Sequence, residues 1–223
     1  MTTRVRRDMP NAHARSRPAL ALAAFVVTLA GCTQTYPTQQ EHQIALRPGE
    51  LEASGIAFLT PSTVTGQEQE KQAVAFIFAD VVKRERPKLR VVTLAETLGA
   101  INKAGIADDY KRMYDDYRDT GLLSREVLRR VGTATGTRYL AQLKLQGFGQ
   151  GSKERFGVFG IRILETQYAH VRLFFQIWDS TDGTVAWEGM QEMRVSHETL
   201  TEEPVMQRTV LERTAADLIK KVP

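Results

Sequence analysis

Residues 169–195 read AHVRLFFQIWDSTDGTVAWEGMQEMRV, and the period of this stretch decides the fold. Ala169, Val171, Leu173, Phe175 and Ile177 alternate with more polar residues, so one face of an extended strand is apolar. Val185, Trp187, Met193 and Val195 repeat the pattern with a gap. Asp179-Ser180-Thr181-Asp182-Gly183 between the two runs is a hairpin signal. A two-residue Asp182-Gly183 turn pairs Trp178 with Trp187 and sets the apolar faces on opposite sides. A three-residue turn with Gly183 left-handed pairs Ile177 with Trp187 and aligns them. The aligned register is the expected one. Tyr139, Ala141, Leu143 and Leu145 also alternate, so the last third of the chain is expected to supply three strands.

Upstream of these strands the period becomes helical. Val74, Ile77, Phe78 and Val81 fall on one face of a helix expected from about Gln67 to Glu85, which Pro87 ends. Thr93 and Glu96 form a capping box for a helix closed at Gly105. Tyr110, Met113, Tyr114 and Tyr117 mark a third helix, closed by Gly121. Val127, Leu128 and Val131 mark a short one starting at Ser124. Leu211, Ala215, Leu218 and Val222 stripe a last helix after Pro204. Ile56-Ala57-Phe58-Leu59 and Leu89–Leu94 read as early strands joined through a helix, which implies a parallel pair. The expected fold is α/β (α+β mixed), a single domain with a mixed five-stranded sheet and helices packed on its faces.

The chain begins differently. Arg4, Arg6, Arg7, Arg15 and Arg17 precede ALALAAFVVTLA at 19–30, which is too short to span a bilayer, for which about 20 residues are needed. Basic start, short apolar core and small residues describe a secretory signal. Cys32 is the sole cysteine and follows Leu29-Ala30-Gly31. Leu-Ala-Gly-Cys here resembles the lipobox of bacterial lipoproteins. The resemblance implies cleavage before Cys32, a diacylglycerol on its sulfur, and a fatty acyl group such as palmitate on the new amino end. Each buried methylene adds about 0.8 kcal/mol, so three chains anchor permanently. Thr33 lacks the aspartate that retains enterobacterial lipoproteins in the inner membrane, which implies the outer membrane with the domain in the periplasm. Residues 33–52 are polar, with Pro37 and Pro48. They read as the rest of a flexible tether over 32–52 with a reach of roughly 25 Å, leaving the domain at 53–223.

Composition narrows the function classes. Of 30 Lys and Arg and 26 Asp and Glu, residues 1–31 hold five and one, which leaves 25 of each in the mature chain. A neutral domain argues against nucleic acid as a partner. The 192 residues after the signal suit one ordinary domain with a real core.

Lipobox, tether, the Ile56-Ala57-Phe58 strand and the Trp178-Asp179…Gly183…Trp187-Glu188 hairpin together resemble small periplasmic lipoproteins. These have the fold of the TolB amino-terminal domain, the curli secretion lipoprotein CsgG and the peptidoglycan-synthase activator LpoB. The resemblance covers about residues 53–221. It implies a non-enzymatic scaffold in envelope assembly or secretion, with an envelope protein as partner or a homo-oligomer as the alternative. CsgG-like channels also carry long amphipathic hairpins, and no stretch of that length is legible here.

No pattern carries catalysis, a cofactor or a metal. His170 and His197 stand alone, without ligand spacing. Gly147, Gly149 and Gly151 form G-x-G-x-G without the helix that phosphate binding requires, and read as a flexible strand end. Asp108, Asp109, Asp115, Asp116 and Asp119 alternate with Lys111, Arg112 and Arg118, as on a solvated helix face. Contact candidates are apolar. Phe156, Val158, Phe159 and Ile161 lie in an expected loop over 149–162, either meeting a partner or lipid or folding back as a plug. Phe174 and Trp178 share a polar strand face with His170, Arg172 and Gln176, either covered by a helix or part of a docking patch.

Overall fold

Strand β2 (Ile56–Phe58) is apolar at every position because both of its faces are covered. Ile56 and Phe58 enter one core, and Ala57 with Leu59 enters another. This division organises the molecule. The computed structural model describes residues 34–158, 161–199 and 207–223. In chain order these form β1 (Gln34–Gln43), α1 (Glu50–Ser54), β2, β3 (Ser62–Thr63), α2 (Glu68–Glu85), β4 (Val91–Val92), α3 (Leu94–Lys103), α4 (Ala107–Thr120) and α5 (Arg125–Thr135). Then come β5 (Tyr139–Val158), β6 (Ile161–Asp179), β7 (Val185–Thr199) and α6 (Gln207–Ile219).

The strands make one seven-stranded sheet in the order β1-β7-β6-β5-β2-β4, with β3 also on β5. β2 runs parallel to β4 and β5, and β5, β6, β7 and β1 are successively antiparallel. The mixed α/β class stands, with seven strands rather than five. On the first face, α2 and α6 cover Tyr139, Leu143, Val171, Phe175 and Met193. Phe58, Phe78, Phe175 and Trp187 run through this core with ring centroids 6.1, 4.8 and 5.5 Å apart. On the second face, Leu140 and Trp178 pack with Ile101, Met113, Leu128 and Val131 from α3, α4 and α5.

Local signals hold where the chain caps itself. Thr93 Oγ1 accepts from the Glu96 amide, and the Thr93 amide donates to Glu96 Oε2 at 2.7 Å. The hydrogen bonds to Thr93 hold the Glu96 carboxyl below its usual range. The turn of the β6–β7 hairpin aligns the apolar faces by a different device from the expected one. Ile177 pairs with Trp187, as expected. The connection, however, is four residues, Ser180–Gly183, closed by the Asp179 amide on Thr184 O at 2.8 Å, with Gly183 at φ 75°. A register shift between Ile177 and Trp178 leaves Ala186 as a bulge that restores the faces. The bulged Ala186 carbonyl then accepts from the amides of Ile44, Ala45 and Leu46 at 3.2, 2.9 and 3.0 Å.

Two expectations fail, both because a partner strand overrides weak local preference. Gln34–Gln43, within the stretch read as tether, is the edge strand β1, paired along its length with Trp187–Ser196. Pro37 is tolerated because an edge position leaves one side of the strand unbonded. Leu46 and Leu51 follow into the first core. Residues 149–158, read as loop, continue β5, and Ile161 and Arg162 begin β6. The Ile- and Leu-bearing strand β6 supplies the ladder that satisfies this glycine-rich backbone. A long hairpin, of 20- and 19-residue strands, exists where none was legible.

Candidate functional site

Among the described residues, helices α3, α4 and α5 cover one end of the second face of the sheet. Past Gln142 and Trp178 the described side chains of this face are half-buried or exposed, and the pairing aligns residues in rows across β5, β6, β7 and β1. Gln142, Gln176, Glu188 and His42 form one row, and Lys144, Phe174, Met190 and Gln40 the next. Then come Gly147, Arg172, Glu192 and Thr38, followed by Gly149, His170, Arg194 and Tyr36. The three G-x-G-x-G glycines head successive rows opposite Arg172, His170 and Tyr168, inside β5 and not at its end. A register shift at Gln146 places them there.

Opposite charges tie the rows together, as cross-strand pairs do. Arg172 Nε and Nη2 donate to Glu192 Oε2 at 3.1 and 2.7 Å, and His170 Nε2 meets Glu192 Oε1 at 3.0 Å. The Arg172 hydrogen bonds, then that of His170, hold the Glu192 carboxyl below the usual range. Gln176 Nε2 donates to Glu188 Oε2 at 3.2 Å, and His42 Nδ1 lies 3.4 Å from Glu188 Oε1. Both oxygens of Glu192 are therefore engaged in cross-strand pairs. Between these pairs Phe174 and Met190 form a half-buried apolar strip, flanked by exposed Lys144 and Gln40.

Helix α4 borders this face through a buried polar network. Tyr114 Oη donates to Gln142 Oε1 at 2.7 Å, Gln142 Nε2 donates to Thr60 O at 3.2 Å, and the Thr60 amide donates to Tyr110 Oη at 2.9 Å. Burial pushes both tyrosine hydroxyls up, so they stay protonated and structural. At the turn, Arg138 Nε and Nη2 donate to Asp179 Oδ2 at 2.9 and 2.7 Å. Burial of Asp179 would raise its carboxyl, but Arg138 and Thr181 outweigh it and the result is lowered.

The contact candidates separate. Trp178 is 4% exposed beneath α4 and α5, so it belongs to the core and not to a docking patch. A helix covers that row because α5 is drawn close there, Gly132 lying against Ser180. Phe174, four residues away on the same face, lies beyond the helices and stays on the open surface. Phe156 and Val158 lie in β5 and Ile161 opens β6, while Phe159 lies outside the described residues. Leu29, Ala30, Gly31 and Cys32 also lie outside them.

Other charged runs resolve into structure. Asp109 is clamped by Arg112 and Arg130, and Arg118 lies 3.8 and 3.6 Å from Asp115 and Asp119. Arg86 reaches Glu52 at 3.0 Å, and Arg90 donates to the carbonyls of Gly136 and Thr135 at 2.6 and 3.0 Å. A groove of about 450 Å³ between α2 and α3 escaped the sequence reading. Phe76, 62% exposed, lines it with Ala79, Lys83, Leu94 and Leu98. Its signal was an aromatic residue off the buried stripe of Val74, Ile77, Phe78 and Val81. No described helix is long and apolar enough to cross a membrane.

No family model and no curated protein matches this chain. Among solved structures it is similar to the PelC dodecamer from Paraburkholderia phytofirmans, at 11% identity over 83% of this chain and 95% of that one, with a TM-score of 0.43. It is similar to the LpoB C-terminal domain from Salmonella enterica, at 13% identity over 65% and 85%, with a TM-score of 0.38. The lipoprotein GNA1162 from Neisseria meningitidis aligns at 11% identity over 76% and 97%, with a TM-score of 0.36.

Proposed function

We propose that this protein is a bacterial envelope lipoprotein, held in the outer membrane by acylated Cys32, whose periplasmic domain binds another envelope protein and catalyses nothing. The observation that carries the reading is Leu29-Ala30-Gly31-Cys32 after a basic start and a twelve-residue apolar run. The open sheet face supports the binding role. It presents the Phe174 and Met190 strip within a frame of paired charges, the apolar-centre and polar-rim composition of a protein interface. Mass spectrometry of the Cys32 peptide from the native host tests the anchor. Diacylglyceryl and acyl additions are expected, and an intact leader or bare sulfhydryl overturns the reading. A photo-crosslinking residue at Phe174, used in intact cells, tests the face. A discrete adduct with an envelope protein, missing when the label sits at Thr181, is the expected result.

A second reading, a subunit of an oligomeric secretion or assembly complex, is favoured by the sheet edges. Among the described residues β1 is unpaired on its outer side, and β5 beyond Leu145 has no neighbour but β6. Two long free edges on opposite sides of one sheet invite head-to-tail pairing between copies. A ring-sized particle in detergent would support this reading, and a monodisperse monomer would remove it.

A further inference from the structure

The register of the sheet decides which end of the domain meets the membrane, given the acylated Cys32 proposed above, on which this inference rests. β1 begins at Gln34, which pairs with Ser196, which pairs with Tyr168 of β6. Only Thr33 separates Gln34 from Cys32, and two residues of chain span at most about 7 Å. The β5–β6 hairpin runs in the same direction and does not stop at that row. Residues 161–167 of β6 continue past it, about 23 Å at ~3.3 Å per residue. The anchor and the end of the hairpin therefore share one end of the sheet, and the turn at Asp179–Thr184 lies at the other.

We infer that the end of the β5–β6 hairpin, Lys153–Val158 with Ile161–Leu164, is a lipid-contacting element laid against the bilayer beside Cys32. The sequence there suits an interface. Phe156, Val158, Ile161, Ile163 and Leu164 are apolar, and Lys153, Arg155 and Arg162 supply the basic groups that settle at headgroups, against the single acid Glu154. The backbone limits the depth. Pairing between β6 and β7 ends at Glu165 and Thr199, so among the described residues the last turnward part of each hairpin strand has one unbonded edge. Unsatisfied backbone groups cost several kcal/mol each in hydrocarbon. A single hairpin therefore lies along the headgroup layer rather than across the membrane. The anchor supplies permanence, and this second contact sets the orientation, turning the Phe174 face to a fixed angle.

The test uses the full acylated protein, purified from its own host and placed in phosphatidylethanolamine–phosphatidylglycerol vesicles. Cys32 is the sole native cysteine and is consumed by the lipid, so Val158→Cys, Ile161→Cys and, as control, Thr181→Cys each take one nitroxide. The expected result at 158 and 161 is loss of collisions with a water-soluble nickel chelate and gain of collisions with oxygen. Thr181→Cys should stay open to the chelate. Chelate access at 158 and 161 equal to that at 181, or chelate loss without oxygen gain, overturns the inference while the anchor stands. A bare Cys32 in the accompanying mass spectrum overturns the anchored reading and this inference together.

Discussion

Two parts of a single strand live under different rules. Tyr139–Leu145 of β5 has strands on both sides, helices on the first face throughout and on part of the second, and buried residues in both cores. From Gly147 onward β5 has β6 alone and three alternate glycines. The first part is held by burial, which is large and non-directional. The second pairs with β6 through ladder hydrogen bonds, each small in net worth. Stability therefore concentrates at the helix-covered end, and the proposed contact surfaces would lie away from it.

The sharpest way to break this contrast is at the centre of the covered end. Trp187→Ala removes one of the largest fully buried side chains and should cost about 3–5 kcal/mol in denaturant unfolding. A smaller cost would mean that the first core is looser than its packing implies. Gly132→Ala comes next. In an exposed helix Ala would gain about 1 kcal/mol over Gly. Here a Cβ would meet Ser180 Oγ at 2.3 Å and Thr137 O at 2.9 Å, so a net loss of about 1–3 kcal/mol is expected by the same measurement. A gain would show that the turn is free to move from α5.

Thr93→Ala removes one half of the capping box at α3 and should cost about 1 kcal/mol. The smallest effect belongs to the open end. Glu192 is held ionised by Arg172 and His170, so its contribution is present above the unfolded carboxylate value and lost as pH falls through the lower folded one. Glu192→Gln should lower the thermal midpoint slightly at neutral pH, with the gap to wild type closing in acid. A gap independent of pH would remove the ion pairs from the account of this face.

Sequence reading succeeded where a segment's own pattern decides its state. The stripes of α2, α4 and α5 were visible because burial on one face imposes a 3.6-residue period, and the Thr93–Glu96 box because a cap is local. It failed at Gln34–Gln43 and Gly149–Val158, whose polar and glycine-rich residues carry no period. Of the contact candidates, Phe174 and Trp178 were indistinguishable in sequence, four residues apart on one strand face. Where the covering helix ends, and with it the boundary between core and surface, depends on how closely α5 approaches the β6–β7 turn.

The residues alone determined the class of fold and the aligned faces of Ile177 and Trp187, because periodicity and turn chemistry act over a few neighbours. Only the tertiary structure decided that Gln34–Gln43 joins the sheet as an edge strand and that residues 149–158 and 161–170 pair in one long hairpin. Strand pairing fixes these, since a weakly disposed segment adopts whatever ladder its partner strand offers.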